Sequence, residues 1–249
     1  MKQRLLGWLR RCFRFTVPYA EGGWILLDRN DYLQKEIFQK GAYEREVWDS
    51  LAQHASAGET VWDVGAHIGS FALRAMRDSR IAQVHAFEPD PVHRRSLIRN
   101  LALNSGNCTV HPVALGEWAE TRLLCHGPAA NTGLSSLIVK TSSRFFPVEV
   151  VSLDELVFEK GMPPPTLMKI DVDDWERRVL DGAVRLLKSS PPKAIVFEEA
   201  CDGEGRIHDP YAQALLENFN YRIQWIRRPH GEVQRRENFL AVLRTGRTA

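Results

Sequence analysis

Two stretches decide the fold: Thr60-Val-Trp-Asp-Val-Gly-Ala-His-Ile-Gly69 and Val84-His-Ala-Phe-Glu-Pro-Asp90. The first reads as an apolar strand that ends in a carboxylate and a glycine loop, with a helix to follow. The second reads as another strand ending in a carboxylate, Glu88, which lies 25 residues after Asp63. This is the pattern by which a doubly wound sheet builds a nucleoside pocket. A dinucleotide loop would read G-x-G-x-x-G and hold a pyrophosphate on the helix N-terminus. Here only Gly65 and Gly69 are present, spaced G-x-x-x-G, with Asp63 just before them. A carboxylate at that point repels a pyrophosphate and attracts an ammonium or a sulfonium. S-adenosylmethionine (SAM) carries both, and its ribose hydroxyls suit Glu88. The loop residues Gly65, Ala66, His67 and Gly69, with Pro89 and Asp90 behind Glu88, are therefore the expected donor contacts.

Working outward, strands and helices alternate. Residues 42–56 have helical spacing, Thr60 to Val64 is a strand, and a helix is expected near Ser70 to Met76. Gln83 to Phe87 leads to a helix from Pro91 to Leu103, which Asp90-Pro91 starts well, because aspartate caps free amides and proline suits the first turn. A strand from Thr109 to Ala114 follows. The alternation breaks over residues 117–150, where short strands at Thr121 to Cys125 and Val148 to Val151 flank a polar loop, as an inserted hairpin or lid would. It resumes with a strand from Thr166 to Val172, a single helix from Trp175 to Lys188, and a strand from Lys193 to Phe197. After a helix at Tyr211 to Asn218, Tyr221 to Ile226 and Phe239 to Leu243 are joined by a basic turn, so that pair is expected to be antiparallel. The expected architecture is an α/β, Rossmann-like, doubly wound three-layer fold. Its seven-stranded sheet is mostly parallel with an antiparallel last strand.

Composition sets bounds. The chain has 249 residues, 44% apolar and 26% charged, with a net charge of +2, as an ordinary globular domain does. That charge argues against a dedicated nucleic-acid binder. Four cysteines (Cys12, Cys108, Cys125, Cys201) show no C-x-x-C pairing and read as reduced thiols of a cytoplasmic chain without a zinc site. Residues 1–40 form an N-terminal extension with a turn at Gly22-Gly23 and a helix or hairpin around Trp24 to Phe38. Its first 15 residues, rich in arginine, leucine and aromatics, read either as a basic amphipathic helix for an anionic membrane surface or a partner, or as a packed or frayed helix. Nothing in the sequence sets an oligomeric state.

Ligands of open α/β sheets bind outside the carboxyl ends of the strands. Those ends are Asp63, Glu88, Ala114-Leu115, Asp171 and Glu198-Glu199. Methyl transfer from a sulfonium needs an aligned nucleophile and, for an alcohol, a base. Asp171 and Asp173 are candidates for that base or for acceptor binding. Lys169 is a second base candidate or the partner of a neighbouring acid. Asp171 with Glu198 or Glu199 could instead hold Mg²⁺. Among the histidines, His67 is expected on the pocket wall and His85 in the core, while His126 is either a general base or a solvated or structural side chain. Trp62 and Trp225 are expected to fill helix–sheet contacts; Trp118 and Trp175 are possible sugar platforms.

Four motifs together carry a resemblance: Val61-Trp-Asp-Val-Gly-Ala-His-Ile-Gly69, Phe87-Glu-Pro-Asp90, Val113-Ala-Leu-Gly116 and Met168-Lys-Ile-Asp-Val172. In this order they resemble the FkbM family of class I SAM-dependent methyltransferases, from about Gly41 to Leu243, which makes 41–249 the methyltransferase domain. The resemblance implies O-methylation of a hydroxyl on a glycan, glycolipid or natural product, and Asp171-Val-Asp-Asp174 in place of a polar-Pro-Pro-aromatic tetrad disfavours a nucleic-acid partner. It also implies donor roles for Ala114, Leu115 and Glu44, and Asn131-Thr-Gly-Leu-Ser-Ser-Leu137 and Tyr43 resemble family positions. The family usually continues K-I-D-V-E-G-x-E, whereas this chain reads Lys169-Ile-Asp-Val-Asp-Asp-Trp-Glu176. Asp174 thus stands where a glycine would allow positive φ, which aspartate tolerates better than most residues. Other classes remain open: a nucleic-acid methyltransferase, a non-catalytic SAM-binding domain, or a nicotinamide oxidoreductase, which the missing middle glycine disfavours.

Overall fold

The computed structural model describes residues 14–20, 22–41, 43, 45–128, 131, 133, 135–138, 144–228 and 236–244. Glu44 and the first 13 residues, and with them most of the expected surface-binding segment, lie outside these. No described helix is long and apolar enough to cross a membrane.

The parallel centre of the sheet comprises β3 (Glu59–Val64), β4 (Ile81–Phe87), β5 (Cys108–His111), β9 (Leu167–Ile170) and β10 (Ala194–Ala200). Two strands complete it, β11 (Tyr221–Trp225) and β12 (Arg236–Leu243). The spatial order is β11-β12-β10-β9-β3-β4-β5, and β12 runs antiparallel to both neighbours, as expected. The chain winds outward from β3 to β5 and then returns to the other side of β3 with β9. The β3/β9 boundary is therefore the switch point, the place where such sheets bind ligands.

Strand alternation sorts the core into two layers. Val61, Val84, Leu167 and Val196 face α2 (Arg45–Ala52), α3 (Ser70–Ala75) and α4 (Pro91–Ala102). Trp62, Phe87, Met168 and Phe197 face α6 (Glu176–Asp181), α7 (Val184–Ser189) and α8 (Tyr211–Asn218). The described part of the N-terminal segment joins the first layer. It is a hairpin of β1 (Arg14–Tyr19) and β2 (Gly23–Asp28), followed by α1 (Tyr32–Lys40), which Asp31 caps and Gly41 ends with φ 68°. Ile25, Leu27 and Ile37 are buried there. Asn100 of α4 and Asn104 just past its end hold β2 down: Asn100 Oδ1 accepts the Leu26 amide at 2.7 Å, and Asn104 Oδ1 accepts that of Trp24 at 2.8 Å.

Two expected elements are divided. The strand from Thr109 to Ala114 stops at His111, because Pro112 has no amide to give the ladder. Ala114–Leu115 then forms β6 in a separate sheet with β7 (Glu120–Cys125) and β8 (Phe145–Val151), ordered β6-β8-β7. The helix from Trp175 to Lys188 is two helices, α6 and α7, with a break at Gly182-Ala183. A Cβ on Gly182 would lie 1.9 Å from the Gly116 carbonyl, and the Gly182 carbonyl accepts the Asp154 amide at 2.9 Å. The strand-to-insertion turn and α5 (Leu153–Phe158) thus press on the chain where the helix would have continued.

Candidate active site

The glycine loop leaves β3 and is tied at once to β4. The amides of Gly65 and Ala66 donate to the Phe87 carbonyl at 3.1 and 3.0 Å. Gly65 has φ 85°, and a Cβ there would stand 1.9 Å from the carbonyl oxygen of Asp171. Only a glycine permits that approach of the loop to the end of β9. Gly69 (φ 92°) does the same against Leu97 of α4 and does not itself border the cavity. Glu88 locks the loop from the other side: Oε2 accepts the His67 amide at 2.7 Å and Oε1 accepts the Asp90 amide at 2.8 Å. Burial pushes the Glu88 carboxyl up to about 8, against those two amides, which hold it down.

A cavity of about 460 Å³ opens above the switch point. The expected donor residues Gly65, Ala66, His67, Glu88 and Pro89 border it, as do Ala114 and Leu115. Lys169, Asp171, Asp173 and Glu198 border it from the β9/β10 side.

Asp63 and Asp90 do not. Asp63 is fully buried beneath the loop, beside Lys169 in the neighbouring strand and close to the Ala72 backbone of α3, and no described side chain hydrogen-bonds to its oxygens. Burial pushes its carboxyl up to about 6, with the Lys169 charge acting the other way. Strand alternation points it into the helix-packed layer, so the direct contact expected from its place in the motif is not formed by a wall residue. Asp90 is likewise fully buried, and its oxygens are used internally: Oδ1 caps α4 through the Val92 amide at 2.7 Å, and Oδ2 faces His126 Nδ1 at 2.5 Å. His126 is consequently buried and bonded rather than solvated, and it does not border the cavity.

At the β9 end, Lys169 Nζ donates to Asp171 Oδ2 at 2.6 Å. Burial raises the Asp171 carboxyl, but the adjacent ammonium outweighs this and holds it below its ordinary value. Asp173 and Asp174 both take left-handed backbone, φ 49° and 69°, so the turn survives without the glycine. Burial, with Asp171 and Glu176 nearby, pushes the Asp173 carboxyl up to about 8.

The structure gathers Asp171, Glu176 and Glu198 into a potential cation site and leaves Glu199 out of it. Cations of the chain already serve this group. Arg236, at the start of β12, meets Glu198 Oε2 at 2.6 Å, Glu176 Oε2 at 3.1 Å and Asp174, while Lys169 serves Asp171. The donor set therefore does not fit Mg²⁺, which would have to displace a guanidinium or an ammonium. Burial, with Glu176 next, pushes the Glu199 carboxyl up to about 7.

Several wall residues have no counterpart in the sequence reading. Tyr32, Leu33 and Glu36 of α1 form one side of the cavity, and His93 and Val172 contribute elsewhere. The i, i+1, i+4 spacing of the first three is a weak surface-helix signal that does not name what the helix faces. Trp175 does border the cavity, but it is buried and its Nε1 donates to the Leu115 carbonyl at 3.0 Å. Trp118 is 52% exposed and lies outside the cavity wall. Trp62 is wholly buried, as expected of a packing residue.

Comparison with known proteins bears on this geometry. Residues 63–223 match the profile of the methyltransferase FkbM domain. The hexuronic acid methyltransferase AglP of Haloferax volcanii is 30% identical over 176 residues, which cover 71% of this chain and 66% of that protein. The 31-O-demethyl-FK506 methyltransferase FkbM of Streptomyces tacrolimicus is 29% identical over 196 residues, covering 67% and 72%. Among solved structures, TYW2 of P. horikoshii in complex with MeSAdo superposes with a TM-score of 0.50 at 12% identity, covering 94% of this chain and 72% of that one. That likeness is one of fold.

Proposed function

Since the chain belongs to the methyltransferase FkbM domain family, we propose that it transfers a methyl group from SAM to a hydroxyl of a glycan, glycolipid or natural-product acceptor. The observation that carries this is the meeting, on one cavity, of the Glu88-locked glycine loop with the Lys169–Asp171–Asp173 strand end. The acceptor class takes its support from relatives named for a hexuronic acid and for a 31-O-demethyl compound.

The residues fit the donor. Each Glu88 oxygen spends one lone pair on a backbone amide, which leaves each a second site for ribose hydroxyls, one of them an O–H donor while the carboxyl holds its proton. Ala114 and Leu115 offer an apolar wall for a base. SAM, when bound, supplies an electrophilic methyl group that needs no activation.

The chain's own residues then align and deprotonate the acceptor. Asp173 is the base: its carboxyl, poised near 8, holds the hydroxyl proton on a carboxylate oxygen far more readily than an ordinary aspartate would. Asp171 is a weaker base because Lys169 holds its charge, and this pair fixes the polar wall against which the acceptor is positioned. The test is radiolabelled methyl transfer from SAM onto glycan and metabolite extracts, alongside donor calorimetry. Asp173→Asn is expected to abolish transfer and keep donor affinity. Undiminished transfer in that variant removes Asp173 from the mechanism.

A further inference from the structure

Asp90, His93 and His126 stand together outside the machinery assigned above, although His93 also borders the cavity. Their exposures are 0%, 4% and 5%, and one ligand-capable atom from each lies within 4.8 Å of the others. Asp90 comes from the cap of α4, His93 from its first turn, and His126 from the residue after β7.

His93 is left with unmet hydrogen-bonding capacity. Among the described residues its buried Nε2 has no partner, and its Nδ1 stands 3.9 Å from both Glu88 Oε1 and Asp90 Oδ2. Those gaps are too wide for hydrogen bonds and suit a shared bridging atom. Ligand atoms around a tetrahedral zinc lie about 3.4 Å apart, given bonds near 2.1 Å. The separations of 2.5 Å from Asp90 Oδ2 to His126 Nδ1 and 3.9 Å to His93 Nδ1 fall on either side of that spacing. Two imidazoles and a carboxylate are a donor set for a borderline-soft divalent metal rather than for Mg²⁺.

We propose that Asp90, His93 and His126 bind one divalent transition-metal ion, zinc being the best fit, which clasps the inserted sheet to the start of α4. A water completes the coordination. The ion would sit directly behind the Glu88 wall, so its occupancy is expected to stiffen the donor end of the cavity.

The full chain, stripped with EDTA, is titrated with Zn²⁺ by calorimetry and with Co²⁺ for the visible bands of a tetrahedral imidazole site. One ion per chain is expected, with a rise in Tm. His93→Gln and His126→Ala are expected to lose the site. Asp90→Asn keeps a competent helix cap and is expected to bind at least about tenfold more weakly. His85→Gln, a buried histidine elsewhere, is expected to keep full stoichiometry. No uptake by the wild-type chain overturns the proposal and leaves the trio as a hydrogen-bonded latch. So does uptake that is equal in wild type and the histidine variants. Should a variant fail to fold, the wild-type Co²⁺ spectrum decides alone, since a spectrum without imidazole-type bands overturns it. Metal uptake needs neither methyl donor nor acceptor, so its failure leaves the methyltransferase reading untouched.

Discussion

Glu88 at the end of β4 accepts the backbone amide of His67 at 2.7 Å, so one strand's terminal carboxyl sets the shape of the loop leaving its neighbour. The same side chain also borders the cavity. Glu88→Ala strands two buried amides and is expected to cost about 3 kcal/mol of stability. Donor affinity should fall at least about tenfold, the equivalent of about 1.4 kcal/mol. Glu199→Ala, outside the cavity wall, should leave affinity unchanged. Calorimetry with SAM checks both, and equal affinities in the two variants would remove Glu88 from the donor site.

Gly65 and Gly58 share a left-handed backbone, φ 85° and 88°, but differ in surroundings. A Cβ at Gly58 meets nothing within 4 Å, whereas at Gly65 it meets the Asp171 carbonyl at 1.9 Å. Gly58→Ala is expected to cost about 1 kcal/mol, the backbone penalty alone. Gly65→Ala must push β9 away from the loop and is expected to cost about 4 kcal/mol or more. Denaturant melts separate the two, and similar midpoints would contradict the close approach.

Asp173 gives the proposed reaction a pH signature. The base acts only when deprotonated, and its carboxyl is pushed up to about 8. The kcat/KM should therefore rise about tenfold per pH unit below 8 and level off above it. Stability runs the other way. Because the folded group binds its proton more tightly than the unfolded one (3.8), its contribution is largest below pH 4 and is lost as pH rises through 8. A flat rate profile between pH 6 and 8 would count against Asp173.

Arg236 neutralises Glu176 and Glu198, of which Glu176 is almost fully buried. Arg236→Met leaves those carboxylates uncompensated and is expected to cost about 3 kcal/mol, most of it regained when the pH is lowered until they protonate. Thermal melts at pH 7.5 and 5 check this, and a penalty independent of pH would assign the loss to packing instead.

Asp174→Gly restores the residue usual in the family. It relieves left-handed strain at φ 69° and loses the contact of an exposed carboxylate with Arg236. The two effects nearly cancel, so the change should fall within about 1 kcal/mol with methyl transfer retained. A large gain in transfer would show that the aspartate impairs catalysis.

Much of this was legible in the linear chain because it depends on local rules. Asp90-Pro91 starts a helix in sequence and in space, and the cap bond of 2.7 Å to Val92 is the reason. The β3 and β4 strands and the antiparallel β12 fall where apolar runs and turns put them. The continuity of the helix after Trp175 was not legible, since Gly182 breaks it through contact with Gly116, far away in sequence. Nor was the role of α1 as a cavity wall, or the choice of Glu176 over Glu199 beside Asp171 and Glu198.

The sequence alone determined that residues 60–90 build the donor end of a doubly wound sheet, because a strand-end carboxylate and a glycine loop are coded within a few residues of each other. Only the tertiary structure decided which carboxylates face the cavity. Asp63 pairs with Ala86 inside the sheet and is sealed under α3, whereas Glu88, two residues beyond Ala86, borders the cavity. Strand register and helix packing, which bring together residues distant in the chain, settle whether a charge meets solvent, a ligand or another charge.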